Sequence, residues 1–159
     1  MAKYGQFKYG QALYGGDTLW VFDRTIADLQ NKTSKVYYNY TDLNRIETRS
    51  QELEVILSAL GYPTHLTFKT NWAKVTDNTP DSNFPVLSQL NRIIYNLKKL
   101  RAAFYTYNTT PKTPDTMVKS TIYSANDIEK ILYDMYRISL TVKDNLVYCG
   151  TINCGGDYI

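Results

Sequence analysis

The chain has 159 residues, 18 lysines and arginines against 15 aspartates and glutamates, a net charge of +3, and 43% hydrophobic residues. That apolar share supports a folded core and excludes general disorder, and no apolar run approaches the ~18 residues of a membrane span. Two cysteines are too few for a disulfide scaffold, one histidine excludes a multi-histidine metal centre within the chain, and so mild a charge announces no nucleic-acid partner.

The N-terminal segment, residues 1–22, opens as MAKYGQFKYG, without the apolar core of a secretory signal. It repeats an aromatic–glycine step every five residues: Tyr4-Gly5, Tyr9-Gly10 and Tyr14-Gly15, with Phe7 between the first two. A flat strand sends side chains five residues apart to opposite faces, and a helix rotates them by about 140° per step. A turn or bulge at each glycine restores a common face, so short extended pieces with one kink per repeat are expected. This reads as a docking arm.

Residues 23–146 read as the folded body. A short helix is expected over Thr25–Asn31, with Ile26 and Leu29 facing inward. The phenols of Tyr37, Tyr38 and Tyr40 could stack on sugars, but packing just ahead of the next helix is the expected role. That helix opens at Thr41 as N-cap, with Asp42 beside the positive end of the helix dipole. Its apolar stripe is Leu43, Ile46, Leu53, Ile56, Leu57 and Leu60, leaving Glu47, Arg49, Glu52 and Glu54 largely outside. Gly61 caps it and Pro63 forbids its continuation.

The segment from Gly61 to Phe84 carries Leu66, Phe68 and Trp72 in an alternation that predicts an extended stretch, with His65 as a packed or surface residue rather than a base. A second long helix starts at Pro85 as its first residue. It buries Val86, Leu90, Ile93, Ile94, Leu97, Leu100 and Phe104, and its Lys98, Lys99 and Arg101 read as a solvated face. Pro111 and Pro114 mark the next stretch as loop. A third helix follows Ser124, with Asp127 in a capping-box position and Ile128, Ile131, Leu132, Met135, Ile138 and Val142 inward. Three such helices can bury one another's stripes in a small antiparallel bundle. The expected fold is thus mainly α, a bundle of three to four helices with short β or extended terminal segments.

The C-terminal segment, residues 147–159, repeats the five-residue step as Cys149-Gly150 and Cys154-Gly155, and is expected to be extended. Its cysteines read as small packing residues beside glycine.

Composition favours binding over catalysis. There are 15 tyrosines against 5 phenylalanines, and tyrosine combines contact area with a hydrogen-bonding tip. No phosphate-binding glycine loop occurs, a hydrolase triad would depend on His65 alone, and a carboxylate pair such as Glu52 with Asp134 has no spacing to recommend it. No catalytic residue, metal ligand or cofactor is expected.

Several stretches, taken in order, resemble the helical domain of structural proteins of tailed phages and prophages of Firmicutes: FDRTIADLQ (22–30), YNYTDLNRIE (38–47), TFKTNW (67–72), NRIIYNLKKLRAAF (91–104), TPDTM (113–117), SANDIEKILYDM (124–135) and CGTINCGG (149–156). The resemblance implies a non-enzymatic virion component, made in the host cytoplasm and placed in the tail or baseplate. A neck or head-associated fibre and a cell-wall glycan receptor are the alternatives. Its expected partners are other virion proteins and further copies of itself, with no nucleic acid. The expected partner-binding residues are Tyr4, Gly5, Phe7, Tyr9, Gly10, Tyr14 and Gly15 at one end, and Cys149, Gly150, Cys154 and Gly155 at the other.

Overall fold

The structure, a computed structural model, describes residues 20–33, 35–36, 38–74, 85–117 and 121–151, with only the backbone of residues 147–151. Within these residues lie four helices, α1 (Ile26–Gln30), α2 (Tyr40–Ala59), α3 (Leu87–Ala103) and α4 (Ile122–Thr151), and no strand. The chain is mainly helical, as expected.

Local chemistry sets the boundaries. Thr25 caps α1, accepting the Asp28 amide at 3.2 Å while its own amide donates to the Asp28 carboxylate at 2.9 Å. Asn39, rather than Thr41, caps α2: its Oδ1 accepts the Thr41 amide at 2.8 Å, and its amide donates to Asp42 at 3.0 Å. An asparagine competes well for this position, and Asp42 completes the reciprocal pair. At the far end Gly61 has φ +88°, the Gly61 amide donates to the Ser58 carbonyl, and the Tyr62 amide donates to the Leu57 carbonyl at 2.8 Å. These two bonds form a Schellman stop, which a left-handed glycine makes inexpensive.

The remaining starts differ from expectation by a few residues. Pro85 lies ahead of α3, where the Val86 amide donates to Gln89 Oε1 at 3.2 Å. Ser124 lies inside α4; the hydroxyl of Thr121, three residues earlier, accepts its amide at 3.2 Å. Thr121 therefore takes the capping role assigned to Ser124.

The three long helices run in the same direction, not antiparallel. Arg45 near the start of α2 pairs with Glu129 near the start of α4. Glu47 of α2 pairs with Arg92 near the start of α3, and beyond the ends of those two helices the Tyr62 and Phe104 rings meet at 5.3 Å. Parallel neighbours require the chain to return the length of a helix each time, which accounts for the long connections.

Both returns are pinned by side chains. The first runs back along α2: Glu54 accepts the Leu66 amide at 2.6 Å, and the Asn44 amide group brackets Trp72, accepting its N–H at 2.7 Å and donating to its carbonyl at 2.9 Å. Asn96 of α3 donates to the Thr67 carbonyl at 2.7 Å. The predicted alternation is present: Leu66 and Phe68 are half-buried, and His65 and Thr67 are exposed. The second return is held where Thr110 donates to Asp134 of α4 at 2.8 Å and Arg101 donates to the Pro111 carbonyl.

The core joins Leu43, Ile46, Leu53 and Leu57 of α2, Ile93, Ile94, Leu97 and Leu100 of α3, and Ile128, Ile131, Leu132 and Met135 of α4. Burying a side chain of this size is worth ~1.5–3 kcal/mol. Some expected core residues are outside it: Ile26, Leu29 and Val86 are each at least half exposed, and Ile56 is only half-buried. Five residues make α1, too short to be held against α2–α4 by a stripe of its own.

At the C-terminus α4 continues through Thr151, so residues 147–151 are helical where an extended segment was expected. Gly150 falls in the last turn, where glycine costs a helix little because so few bonds remain beyond it.

Candidate functional site

Ahead of α1, residues Trp20 to Arg24 lie against α4 as a strap. The Trp20 ring meets Tyr133 at 5.7 Å and Tyr136 at 6.1 Å, and Phe22 meets Tyr133 at 5.2 Å. The Arg24 amide donates to Asn126 Oδ1 at 3.1 Å, while Asn126 Nδ2 donates to the Arg24 carbonyl at 2.9 Å. One side-chain amide thus satisfies both backbone groups of Arg24, as a neighbouring strand would. Trp20 is 2% exposed. Residues 20–22, expected to belong to the docking arm, are therefore packed on the bundle.

The strap ends in a buried ionic cluster. The Arg24 side chain is fully buried; it donates to the Lys35 carbonyl at 2.9 Å and to Asp42 at 3.1 Å, and lies 3.7 Å from Glu129. Arg45 donates to both Asp42 and Glu129. Two guanidinium groups and two carboxylates from the strap, α2 and α4 balance in charge. Removing a single member would leave an uncompensated buried ion.

Burial is the largest influence on Glu129 and raises its pKa, against the opposing pull of Arg45 and Arg24. Burial also works against the charge of Arg45, but its bonds to Glu129 and its attraction to Asp42 outweigh this and the guanidinium is held more firmly protonated. Tyr38 lies under Arg24, whose guanidinium carbon is 5.3 Å from the ring centre. Burial and the nearby Glu129 charge push the Tyr38 phenol well above its ordinary range. This is the packing role expected for Tyr38.

A second buried carboxylate, Glu47, pairs with Arg92. Burial raises its pKa, partly countered by Arg92, the Lys69 backbone N–H and the Trp72 indole. Glu47 and Arg49 were expected outside, yet they are 1% and 6% exposed. The first return segment covers Glu47, and Trp20 stacks 5.1 Å from the Arg49 guanidinium. Periodicity along α2 marks the side that meets α3 and α4 but carries no sign of these non-helical segments.

The remaining candidates have local roles. Lys98 lies 3.9 Å from Asp115, Lys99 sits 5.5 Å from the Tyr95 ring, and Arg101 holds Pro111. Glu52 pairs with Arg49, and Asp134 binds Thr110 and Lys130. His65 is exposed. Beside the start of α2 a groove of about 620 Å³ is lined by Tyr38, Tyr40, Leu43, Trp72, Lys74 and Pro85.

Of the expected partner-binding residues, Tyr4, Gly5, Phe7, Tyr9, Gly10, Tyr14, Gly15, Cys154 and Gly155 lie outside the described residues, as does Tyr37. Cys149 and Gly150 stand on the backbone of α4. The ionic cluster was missed by the sequence reading. A signal for it exists: Asn126, Glu129, Tyr133 and Tyr136 recur at alternating three- and four-residue spacing, marking a second, polar–aromatic face of α4 beside the aliphatic one. Among the described residues no helix is long and apolar enough to cross a membrane. No protein-family model matches the chain, and neither does any curated protein or solved structure.

Proposed function

We propose that the chain is a non-enzymatic structural protein of a phage virion, a tail or baseplate adaptor that engages other virion proteins through its glycine-rich ends. The observation that carries this reading is the shared five-residue step at the two termini, Tyr4-Gly5 to Tyr14-Gly15 and Cys149-Gly150 to Cys154-Gly155, flanking a body without repeats. The ordered set of short motifs resembling phage structural proteins adds the virion context. An adaptor needs a stiff body behind its docking elements, and the ionically fastened strap provides a fixed origin for the N-terminal arm. Main-chain pairing at a partner's sheet edge would supply hydrogen bonds, and the tyrosines the specificity. In a ring or fibre, further copies of the chain would multiply weak contacts through effective concentration.

Deletion of residues 2–16 tests the reading. The truncated protein should keep the helical circular dichroism of the parent and fail to enter particles; normal incorporation would refute the docking role.

A second reading, recognition of a host-surface glycan, is favoured by the groove, in which Tyr38, Tyr40 and Trp72 converge. Glycan-array binding that disappears in Tyr40→Ala, whose ring is the most exposed of the three, would support it over the adaptor.

A further inference from the structure

The net charge of +3 divides unevenly along the chain. Residues 85–114 carry Arg92, Lys98, Lys99, Arg101 and Lys112 and no carboxylate, which leaves 13 basic against 15 acidic side chains elsewhere. This sets α3 apart from the other long helices. α2 and α4 carry four carboxylates each and use them in pairs along the helix, Arg49 with Glu52 and Lys130 with Asp134. α3 carries four cations and no acid of its own. A helix face that is merely solvated ordinarily alternates the two signs.

The cations of α3 stand beside exposed rings. Asn91, Tyr95, Lys98, Lys99 and Ala102 fall within one arc of ~100° on the side opposite Ile93, Leu97 and Leu100, and all five are exposed. Tyr95 is 55% exposed, with the Lys99 ammonium 5.5 Å from its ring centre. Just past the helix, Tyr105 and Tyr107 are 71% and 47% exposed. The second return then passes beside Arg101 and Lys98, which meet the Pro111 carbonyl and Asp115, and between those contacts it adds the exposed Lys112. Asp115, 3.9 Å from Lys98, is fully exposed, so water screens most of that attraction. The negative end of the α3 dipole accounts for Arg101 in the last turn, but it gives no reason for tyrosine rings among the lysines.

Lysines interleaved with outward-facing rings match a polyanion that has rings of its own: phosphates meet the ammonium groups while bases stack on the phenols. A duplex keeps its bases paired inside and would leave the tyrosines unused, and an acidic protein segment would answer the charge but not the rings. We propose that the outer face of α3 and the adjoining return, with Tyr95, Lys98, Lys99, Tyr105 and Lys112, bind single-stranded nucleic acid. The mild net charge gives no sign of such a partner because carboxylates in the rest of the chain cancel the local excess. The proposal goes beyond the adaptor reading and is tested without particles.

Fluorescence anisotropy of the full-length protein with a labelled thymidine oligomer of about 20 nucleotides tests it. Binding should saturate and, with three lysines on phosphates, its logarithm should fall against the logarithm of salt with a slope of ~−2. Lys98→Gln/Lys99→Gln should weaken binding about tenfold or more at low salt and reduce the slope to ~−0.7. Tyr95→Ala should weaken it about fivefold or more and leave the slope unchanged, and an abasic oligomer of the same length should bind the parent about fivefold more weakly. These side chains are exposed, so the variants should keep the helical circular dichroism of the parent. Lys143→Gln, an exposed lysine of α4, should leave the affinity unchanged. Equal affinity for the abasic oligomer would assign the face to a phosphate polymer without bases, and equal affinity for a duplex or for polyglutamate would assign it to those partners; each would overturn the proposal. So would the absence of binding, or undiminished binding by Lys98→Gln/Lys99→Gln.

Discussion

Replacing Arg24 with methionine tests whether the buried cluster fastens the strap. The side chain is fully buried, with hydrogen bonds to the Val21 and Lys35 carbonyls and to Asp42, and with Glu129 within 4 Å. Methionine approximates its stem but supplies no charge. One guanidinium, Arg45, is then left against two carboxylates, with two carbonyls losing their donor. Breaking a buried ion pair from one side typically costs ~3–5 kcal/mol. For a domain of this size that corresponds to a fall of ~6–20 °C in melting temperature. Urea unfolding followed by circular dichroism at pH 7 would measure the loss, and Trp20 fluorescence would report release of the strap. Combining Arg24→Met with Glu129→Gln should cost less than the sum of the single losses by ~0.5–3 kcal/mol, because the second change removes a charge that the first one stranded. A loss below ~1 kcal/mol for Arg24→Met, or strict additivity in the pair, would refute the account of the cluster as a mutually dependent unit.

Two further outcomes follow from the same structure. Glu47 and Glu129 have pKa values raised by burial above the ordinary 4.5, so the folded protein binds protons more readily than the unfolded chain between that value and the raised one. Their contribution to stability is full below pH 4.5 and is lost as pH rises through the folded values. Compared with Glu47→Gln/Glu129→Gln, the parent should therefore gain relative stability between pH 7 and pH 4.5 in urea titrations; a relative loss would show that the arginines outweigh burial. At the end of α2, Gly61 has φ +88° with open space around an added Cβ, so Gly61→Ala should cost ~1–2 kcal/mol from backbone strain alone, measured in the same way. A neutral result would mean that the Schellman stop relaxes into another turn.

Much of the helical body is legible in the chain itself. Hydrophobic spacing identifies which residues of α2, α3 and α4 face inward, because a 3.6-residue period gathers them on one side whatever they meet there. Gly61 marks its turn because few other residues accept a positive φ at low cost. The caps were less legible, since Asn39, Thr41, Thr121 and Ser124 all have side chains suited to the role. Which one serves depends on the hydrogen bond actually formed.

The tertiary structure alone decided the direction of the helices, the path of the strap and the fate of the charges. An amphipathic stripe has no arrow and packs as well against a parallel neighbour as an antiparallel one. The direction is set by the return segments, which are held through single side chains such as Asn44, Glu54, Asn96 and Asp134. Glu47, Arg49 and Glu129 look like solvent-facing residues until partners distant in sequence cover them: Arg45 lies 84 positions from Glu129, and Asn126 lies 102 from Arg24. A local period records only near neighbours along the helix. The cost of burying a charge is settled by the groups the fold brings to it, and those groups came from other parts of the chain.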